Sequence, residues 1–106
     1  MPHEALIILC TCPPADAARI AGALVNERLA ACVNTLAGAQ SVYRWHEQVE
    51  TATETLLIIK TTTDHYDALE RRLRALHPYE VPEIVAIPIC RGHPPYLQWL
   101  KDATCA

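Results

Sequence analysis

The sequence predicts an α+β fold in which the elements follow the order strand, helix, strand, strand, helix, strand, with one further helix at the end. Four apolar runs have the length or the alternation of strands. Two segments between them repeat apolar residues at every third or fourth position, as helices with one buried face do. A polar segment at residues 50–53 separates the two middle runs and predicts a hairpin. This order is that of a ferredoxin-like βαββαβ sandwich, an antiparallel sheet with both main helices on one face.

The first strand and the first helix come from residues 5–27. The strand begins in the apolar run at residues 5–10, and alternation places four side chains on one face: Leu6, Ile8, Cys10 and Cys12. Pro13 and Pro14 end this strand. Apolar residues then recur at helical spacing, which predicts a helix with a buried stripe of Ala17, Ile20, Ala21 and Leu24.

The second and third strands are predicted to form a long hairpin. The first of them starts at Cys32, is interrupted by Ala-Gly-Ala at residues 37–39, which predicts a bulge, and continues to Val49. After the reversal, residues 54–62 return beside it. An arm of about fifteen residues is long compared with the usual five or six of a strand, so its far end projects and leaves Trp45 exposed. A second subunit is the simplest cover for that end.

The second helix leads into a stretch rich in functional side chains. Its core stripe is predicted to be Tyr66, Leu69, Leu73 and Leu76. The following sequence, His-Pro-Tyr-Glu-Val-Pro-Glu-Ile at residues 77–84, is called the display segment here, and its two prolines predict an extended, stiff chain. The last strand follows at residues 84–89, with Pro88 indicating a sheet edge, and a last helix begins after His93.

Composition limits the classes of function. At 106 residues the chain has the length of one domain, which spans residues 1–106. A net charge of −3 argues against nucleic acid and against an anionic membrane as partners. The N-terminal apolar run is shorter than a signal-peptide core or a membrane span. Five cysteines, an odd number, fit free thiols in a reducing compartment, so we expect a cytoplasmic protein.

Several motifs, in this order along the chain, resemble those of the CutA divalent-cation-tolerance family. They are Glu-Arg-Leu-Ala-Ala-Cys-Val-Asn at 27–34, Ser-Val-Tyr-Arg-Trp at 41–45, Glu-Thr-Leu-Leu-Ile-Ile-Lys-Thr at 54–61, the display segment, and Tyr-Leu-Gln-Trp-Leu at 96–100. The resemblance runs from about Leu9 to Leu100. It implies a homotrimer in which the sheets pack around a threefold axis and the long hairpins join neighbouring sheets.

The resemblance also implies a metal site. In copper-binding members of the family the matching positions are Cys10, Cys32, His77 and Glu83, and thiolate and imidazole ligands suit copper or zinc. Cys12 is an alternative thiol, because some members carry the cysteine there instead. His77 and Glu83 are six residues apart, up to roughly 20 Å in an extended chain, so a shared ion requires a folded segment or a second subunit. The boundary between subunits is therefore the expected place.

Other roles are open for the same residues. Cysteines in or beside apolar strands are more often core residues than ligands, which applies to Cys10, Cys12, Cys32 and Cys90. Pro2, as a terminal amine, would resemble the nucleophile of the proline-based tautomerases, and Cys32 with His77 would be a nucleophile pair. Neither enzyme role is favoured, because Pro2 precedes the first strand and no third residue that would orient the pair can be named.

The sequence and the resemblance therefore favour two hypotheses for the function. The first is a cytoplasmic homotrimer, not an enzyme, that binds divalent metal ions, copper foremost, and contributes to divalent cation tolerance and to the response to metal ions. The alternative is a PII-like signalling or scaffold trimer that binds an unknown small ligand or protein partner, which rests on similarity of fold to the nitrogen-regulatory trimers. Such a ligand is expected in a cleft between subunits lined by Arg44, Trp45, Lys60, Tyr79 and Glu83.

Overall fold

The computed structural model describes residues 4–105. In chain order its elements are β1 (Ala5–Cys12), α1 (Ala17–Asn26), β2 (Cys32–Trp45), β3 (Gln48–Thr62), α2 (Tyr66–Leu76), β4 (Val85–Pro88) and α3 (Pro94–Ala103). Short 3₁₀ turns at Pro14–Asp16 and Thr63–His65 lead into α1 and α2. The predicted order of elements is confirmed, including the additional C-terminal helix. Among the described residues, no helix is long and apolar enough to span a bilayer.

The four strands form one antiparallel sheet in the order β2-β3-β1-β4, which confirms the ferredoxin-like fold. Alternation along β1 sends every second side chain into the core, as the sequence predicted. The main core joins that face of the sheet to α1 and α2, and its fully buried members include Ile8, Ile20, Leu24, Leu57, Ile59, Leu69 and Leu73. Both main helices therefore lie on one face.

The other face of the sheet is apolar and only partly covered. On this face, Leu9 of β1 pairs with Ile58 of β3 and Val85 of β4, and Ile7 pairs with Lys60 of β3 and Ile87 of β4. Val85 and Ile87 at the edge are each 47% exposed. We call this surface the open face, and exposed apolar surface of this kind usually marks a contact with another molecule.

The hairpin of β2 and β3 forms the predicted long arm, but its reversal lies elsewhere. Trp45 pairs with Gln48, so the turn consists of His46 and Glu47, both with positive φ, as in the turns that suit a two-residue hairpin loop. The prediction of a reversal at residues 50–53 is wrong. Those polar residues belong to β3, where the projecting arm leaves their side chains mostly in solvent, so polarity there does not mark a turn. The bulge predicted around Gly38 is confirmed by the register shift between Leu36 and Ala39.

Candidate functional site

A cleft with a volume of about 770 Å³ opens between the display segment and the arm. Three strands and the display segment line it, through Thr11, Ser41, Val42, Tyr43, Trp45, Glu54 and residues 78–83. After α2 ends at Leu76, His77 adopts an extended conformation, and the two prolines that follow keep the chain from returning to a helix. The display segment thus forms one wall of what we call the display cleft.

Glu54 lies at the centre of the hydrogen bonds in this cleft. Its side chain is in the wall of the cleft and the residue is only 5% exposed. Ser41 Oγ donates to Glu54 Oε1 at 2.6 Å, and Tyr79 Oη donates to Glu54 Oε2 at 2.5 Å. Burial acts to raise the pKa of Glu54, but hydrogen bonds from Ser41, Tyr79 and Thr11 outweigh it and leave the pKa lowered. Glu54 is therefore an ionised carboxylate at neutral pH.

Tyr79 connects the display segment to the sheet through this carboxylate. Burial, together with the hydrogen bond to the negatively charged Glu54, raises the pKa of Tyr79. The phenol therefore stays protonated and remains a donor across the physiological range. The bond joins two residues that are 25 positions apart in sequence, so it holds the display segment in place against β3.

His77 is held by both of its ring nitrogens. Nε2 lies 2.8 Å from the carbonyl oxygen of Thr11, which can only accept, so this nitrogen carries the proton. Nδ1 accepts a hydrogen bond from the backbone N–H of Tyr79 at 3.1 Å. The residue is 7% exposed. A neutral imidazole with a single tautomer fits these partners, and neither nitrogen can bind a metal ion unless one of these bonds breaks.

The two thiols of β1 are core residues. Cys10 and Cys12 are both fully buried on the helix-facing side of the sheet. Burial, with a smaller contribution from the neighbouring Cys12, raises the pKa of Cys10 to about 12, and burial also raises the pKa of Cys12. Because the thiolate is the form that ligates metal, both thiols are poor ligands in this conformation.

Nearly the whole chain matches one protein family. A model of the CutA1 divalent ion tolerance protein family matches residues 6–103. The chain belongs to this family. It is 52% identical over 99 residues to the divalent-cation tolerance protein CutA of Thermus thermophilus, and the match covers 92% of this chain and 96% of that protein. The resemblance seen in the sequence is therefore confirmed.

Solved structures of CutA proteins share the fold. The Cut A1 divalent cation tolerance protein from Thermus thermophilus superposes with a TM-score of 0.92 at 50% identity, covering 95% of this chain and 99% of that one. A protein described as the PII-like protein CutA from Nostoc sp. PCC 7120, in apo form, superposes with a TM-score of 0.90 at 35% identity, covering 94% of this chain and 97% of that one. The described chain is thus similar both to proteins named for cation tolerance and to one named as PII-like.

The fold of one chain does not bring the four predicted metal ligands together. Cys10 and Glu83 are close enough to interact electrostatically, and His77 lies beside Thr11 in the same region. Cys32 lies on the open face, with its Cα paired to Lys60, whereas Cys10 pairs with Leu57 on the opposite face. Cys10 and Cys32 are three positions apart along the strand direction and two strands apart across the sheet, so their Cα atoms lie roughly 14 Å from each other.

Within one chain, this donor set does not fit a metal ion. Among residues 4–105, no group of three or more His, Cys, Asp or Glu side chains lies close enough to hold one. Cys32 and His77, considered as a nucleophile pair, are likewise kept apart by the intervening strand β3, because His77 contacts β1 and Cys32 starts β2. Pro2 lies outside the described residues. Cys90 is exposed, so its interpretation as a core residue is wrong, because it follows the edge strand and not an interior one.

The predicted small-ligand set divides in two. Trp45, Tyr79 and Glu83 line the display cleft of one chain. Arg44 and Lys60 do not line it, and Lys60 instead donates a hydrogen bond to Asn34 on the open face. Sequence reasoning missed Glu54, although a signal was present. It is an acidic residue two positions before the apolar run at residues 56–59, and it shares a face with Leu56.

Proposed function

We propose that the chain works as a homotrimer, assembled through the open face and the arm. The support is the amount of apolar surface left at the edge of the sheet and along the arm, where Leu36 and Val49 are 46% and 64% exposed. Covering such surface contributes roughly 25 cal/mol for each Å² removed from water.

We further propose that this trimer binds divalent metal ions, copper foremost, and contributes in this way to divalent cation tolerance, as a cytoplasmic protein without enzymatic activity. The observation that carries the proposal is the family match over residues 6–103, together with relatives named for divalent-cation tolerance. Five free cysteines in the described chain suit a reducing compartment. A soft thiolate ligand favours copper over the hard divalent ions.

The proposed ligands are those of the predicted set that expose their donor atoms. Glu83 is exposed in the wall of the display cleft, and Cys32 is partly exposed on the open face. Cys10 and His77 are buried and bound to other groups, so they take part only if the display segment moves. Because Cys32 and Glu83 of one chain lie far apart, the proposed site joins the thiol of one subunit to the carboxylate of another.

Calorimetric titration of reduced, metal-free protein with copper and with zinc tests this proposal. We expect sub-micromolar copper binding, about −8 kcal/mol or stronger. Cys32→Ser and Glu83→Gln should each abolish it. Cys105→Ser, which removes an exposed thiol near the C-terminus, is the matched control and should leave it unchanged. Copper binding that survives both Cys32→Ser and Glu83→Gln would rule out this ligand set.

A second function is favoured by the display cleft itself. Its volume lies in the range of small-molecule sites, and its walls combine apolar side chains with a few polar groups, as such sites do. We propose as the alternative that the trimer is a PII-like signalling protein that binds a small ligand in this cleft. The test is the fluorescence of Trp45 in the cleft wall, read as the difference between the protein and Trp45→Phe. A ligand that leaves this difference unchanged does not occupy the cleft.

A further inference from the structure

The walls of the display cleft carry negative charge only. Three of its lining residues are carboxylates, Glu54, Glu80 and Glu83, and none of the lining residues in the described chain is Lys, Arg or His. Glu54 is held ionised by its hydroxyl donors. Among residues 4–105, neither Glu80 nor Glu83 forms an ion pair that would neutralise it. The lining of the cleft therefore favours cations over phosphates and carboxylates. Glu80 also lines a neighbouring pocket together with Arg71 and Arg74, so Glu54 and Glu83 contribute most of this preference.

Three aromatic side chains stand among these carboxylates. Tyr43, Trp45 and Tyr79 all line the cleft, and each is about two-fifths exposed, at 43%, 40% and 38%. Aromatic faces attract cations through the quadrupole of the ring, with Trp the most effective. Tyr79 also donates its hydroxyl proton to a carboxylate, which pushes electron density towards the ring and strengthens this attraction.

We propose that the display cleft binds a small organic cation, an alkylammonium group with apolar substituents. The proposal rests on the second function above and names the class of ligand. Aromatic rings that surround a cation, with carboxylates nearby, are the recurrent means by which proteins recognise quaternary ammonium groups. The remaining wall offers the apolar contacts that the substituents need, through Val42, Val81 and two prolines.

An inorganic ion fits the same walls poorly. Both oxygens of Glu54 already accept hydrogen bonds, from Ser41 and Tyr79, and the residue is only 5% exposed, so a metal ion has little access to them. The cleft residues include no group of three donors placed to hold a metal ion in the described chain. A small metal ion must be stripped of water by several close ligands, whereas an alkylammonium ion carries diffuse charge and an apolar surface.

Choline and its neutral carbon isostere, 3,3-dimethyl-1-butanol, provide the test. The two probes have the same shape and differ in charge, and a chelator in the buffer excludes metal effects. We expect choline to bind about tenfold more tightly than the isostere, measured by calorimetry and by the Trp45 fluorescence difference. Equal affinities, or no choline binding up to roughly 10 mM, would overturn the proposal.

Variants that remove carboxylate charges show which residues make the cleft prefer choline to its neutral isostere. Glu80→Gln combined with Glu83→Gln should weaken choline binding by roughly threefold or more and leave the isostere unaffected. The matched control, Asp64→Asn combined with Glu70→Gln, removes the same charge outside the cleft and should change neither affinity. An equal loss in both double variants would mean that overall charge, and not the cleft, attracts choline, which also overturns the proposal.

These outcomes separate the ligand class from the function on which it rests. Binding of the isostere in preference to choline would keep the cleft as a ligand site but refute the cation. If neither probe binds, the proposal that the cleft binds an organic cation is refuted. The signalling function is then tested with other ligands. The metal titration is separated from the choline test by Cys32→Ser, because Cys32 does not line the cleft, whereas Glu83 takes part in both tests.

Discussion

Removing the hydroxyl of Tyr79 should loosen the display segment from the sheet. In Tyr79→Phe, the 2.5 Å bond from Tyr79 Oη to Glu54 Oε2 is lost, while the ring and its volume remain. Glu54 is only 5% exposed, so its carboxylate keeps its charge but loses one of the donors that stabilise it. The loss falls on a buried ion, which makes it larger than the loss of an ordinary surface hydrogen bond.

The size of the effect follows from the partners. A hydrogen bond to a charged group contributes about 1.5–3 kcal/mol to the free energy of unfolding. Tyr79 is 38% exposed, so water can approach from the open side of the cleft and replace part of the lost bond. We therefore expect a loss near the lower end, about 1.5–2 kcal/mol.

Urea denaturation at one protein concentration measures this loss, because the stability of an oligomer depends on concentration. Tyr96→Phe is the matched control, since the Tyr96 hydroxyl makes no hydrogen bond within residues 4–105, and it should cost less than about 0.5 kcal/mol. A double-mutant cycle with Glu54→Gln should give a coupling of about 1 kcal/mol or more. Equal losses in the two Tyr→Phe variants, with no coupling in the cycle, would refute the role given to this bond.

Three further predictions follow from the buried groups. The folded state lowers the pKa of Glu54, so its contribution to stability is complete above the unfolded value of about 4.3 and is lost as the pH falls through the lower folded value. Denaturation between about pH 7 and about pH 3 measures the difference in the free energy of unfolding between the wild type and Glu54→Gln. This difference should stay constant down to about pH 5 and shrink below about pH 4, and a difference that does not depend on pH would contradict this. Labelling with a thiol reagent should modify Cys90 and Cys105 in the folded protein and the two thiols of β1 only after unfolding, and uniform labelling rates would contradict the assignment of Cys10 to the core. Leu73→Ala, at a fully buried position of α2, should cost about 2–5 kcal/mol in the free energy of unfolding, whereas a loss below about 1 kcal/mol would mean that α2 does not pack as described.

The fold could be predicted from local patterns because each pattern had one dominant cause. The stripe that includes Leu69 and Leu73 faces the core, and both are fully buried. Alternation in β1 assigned Cys10 and Cys12 to one face for the same reason. The turn at residues 46–47 escaped prediction because the arm is solvated along much of its length, so polarity no longer separates strand from loop there.

The site was predictable in its location but not in its bonding. The display segment could be identified because its prolines and functional side chains are contiguous in sequence. The role of Glu54 could not, because Thr11, Ser41 and Tyr79 reach it from three separate parts of the chain. His77 illustrates the same limit, since its hydrogen bond to the Thr11 carbonyl spans 66 positions in sequence and occupies a ring nitrogen of a predicted metal ligand.

Native mass spectrometry of reduced protein, titrated with copper, tests the proposed metal-binding trimer most directly. Assembly and metal binding appear in the same spectrum, and the chelated protein supplies the baseline. We expect a species of three times the mass of the chain that takes up copper, while any monomer stays metal-free because no single chain contains the complete donor set within residues 4–105. A monomer that binds copper as well as the trimer does, or a trimer that takes up none, would contradict the proposal.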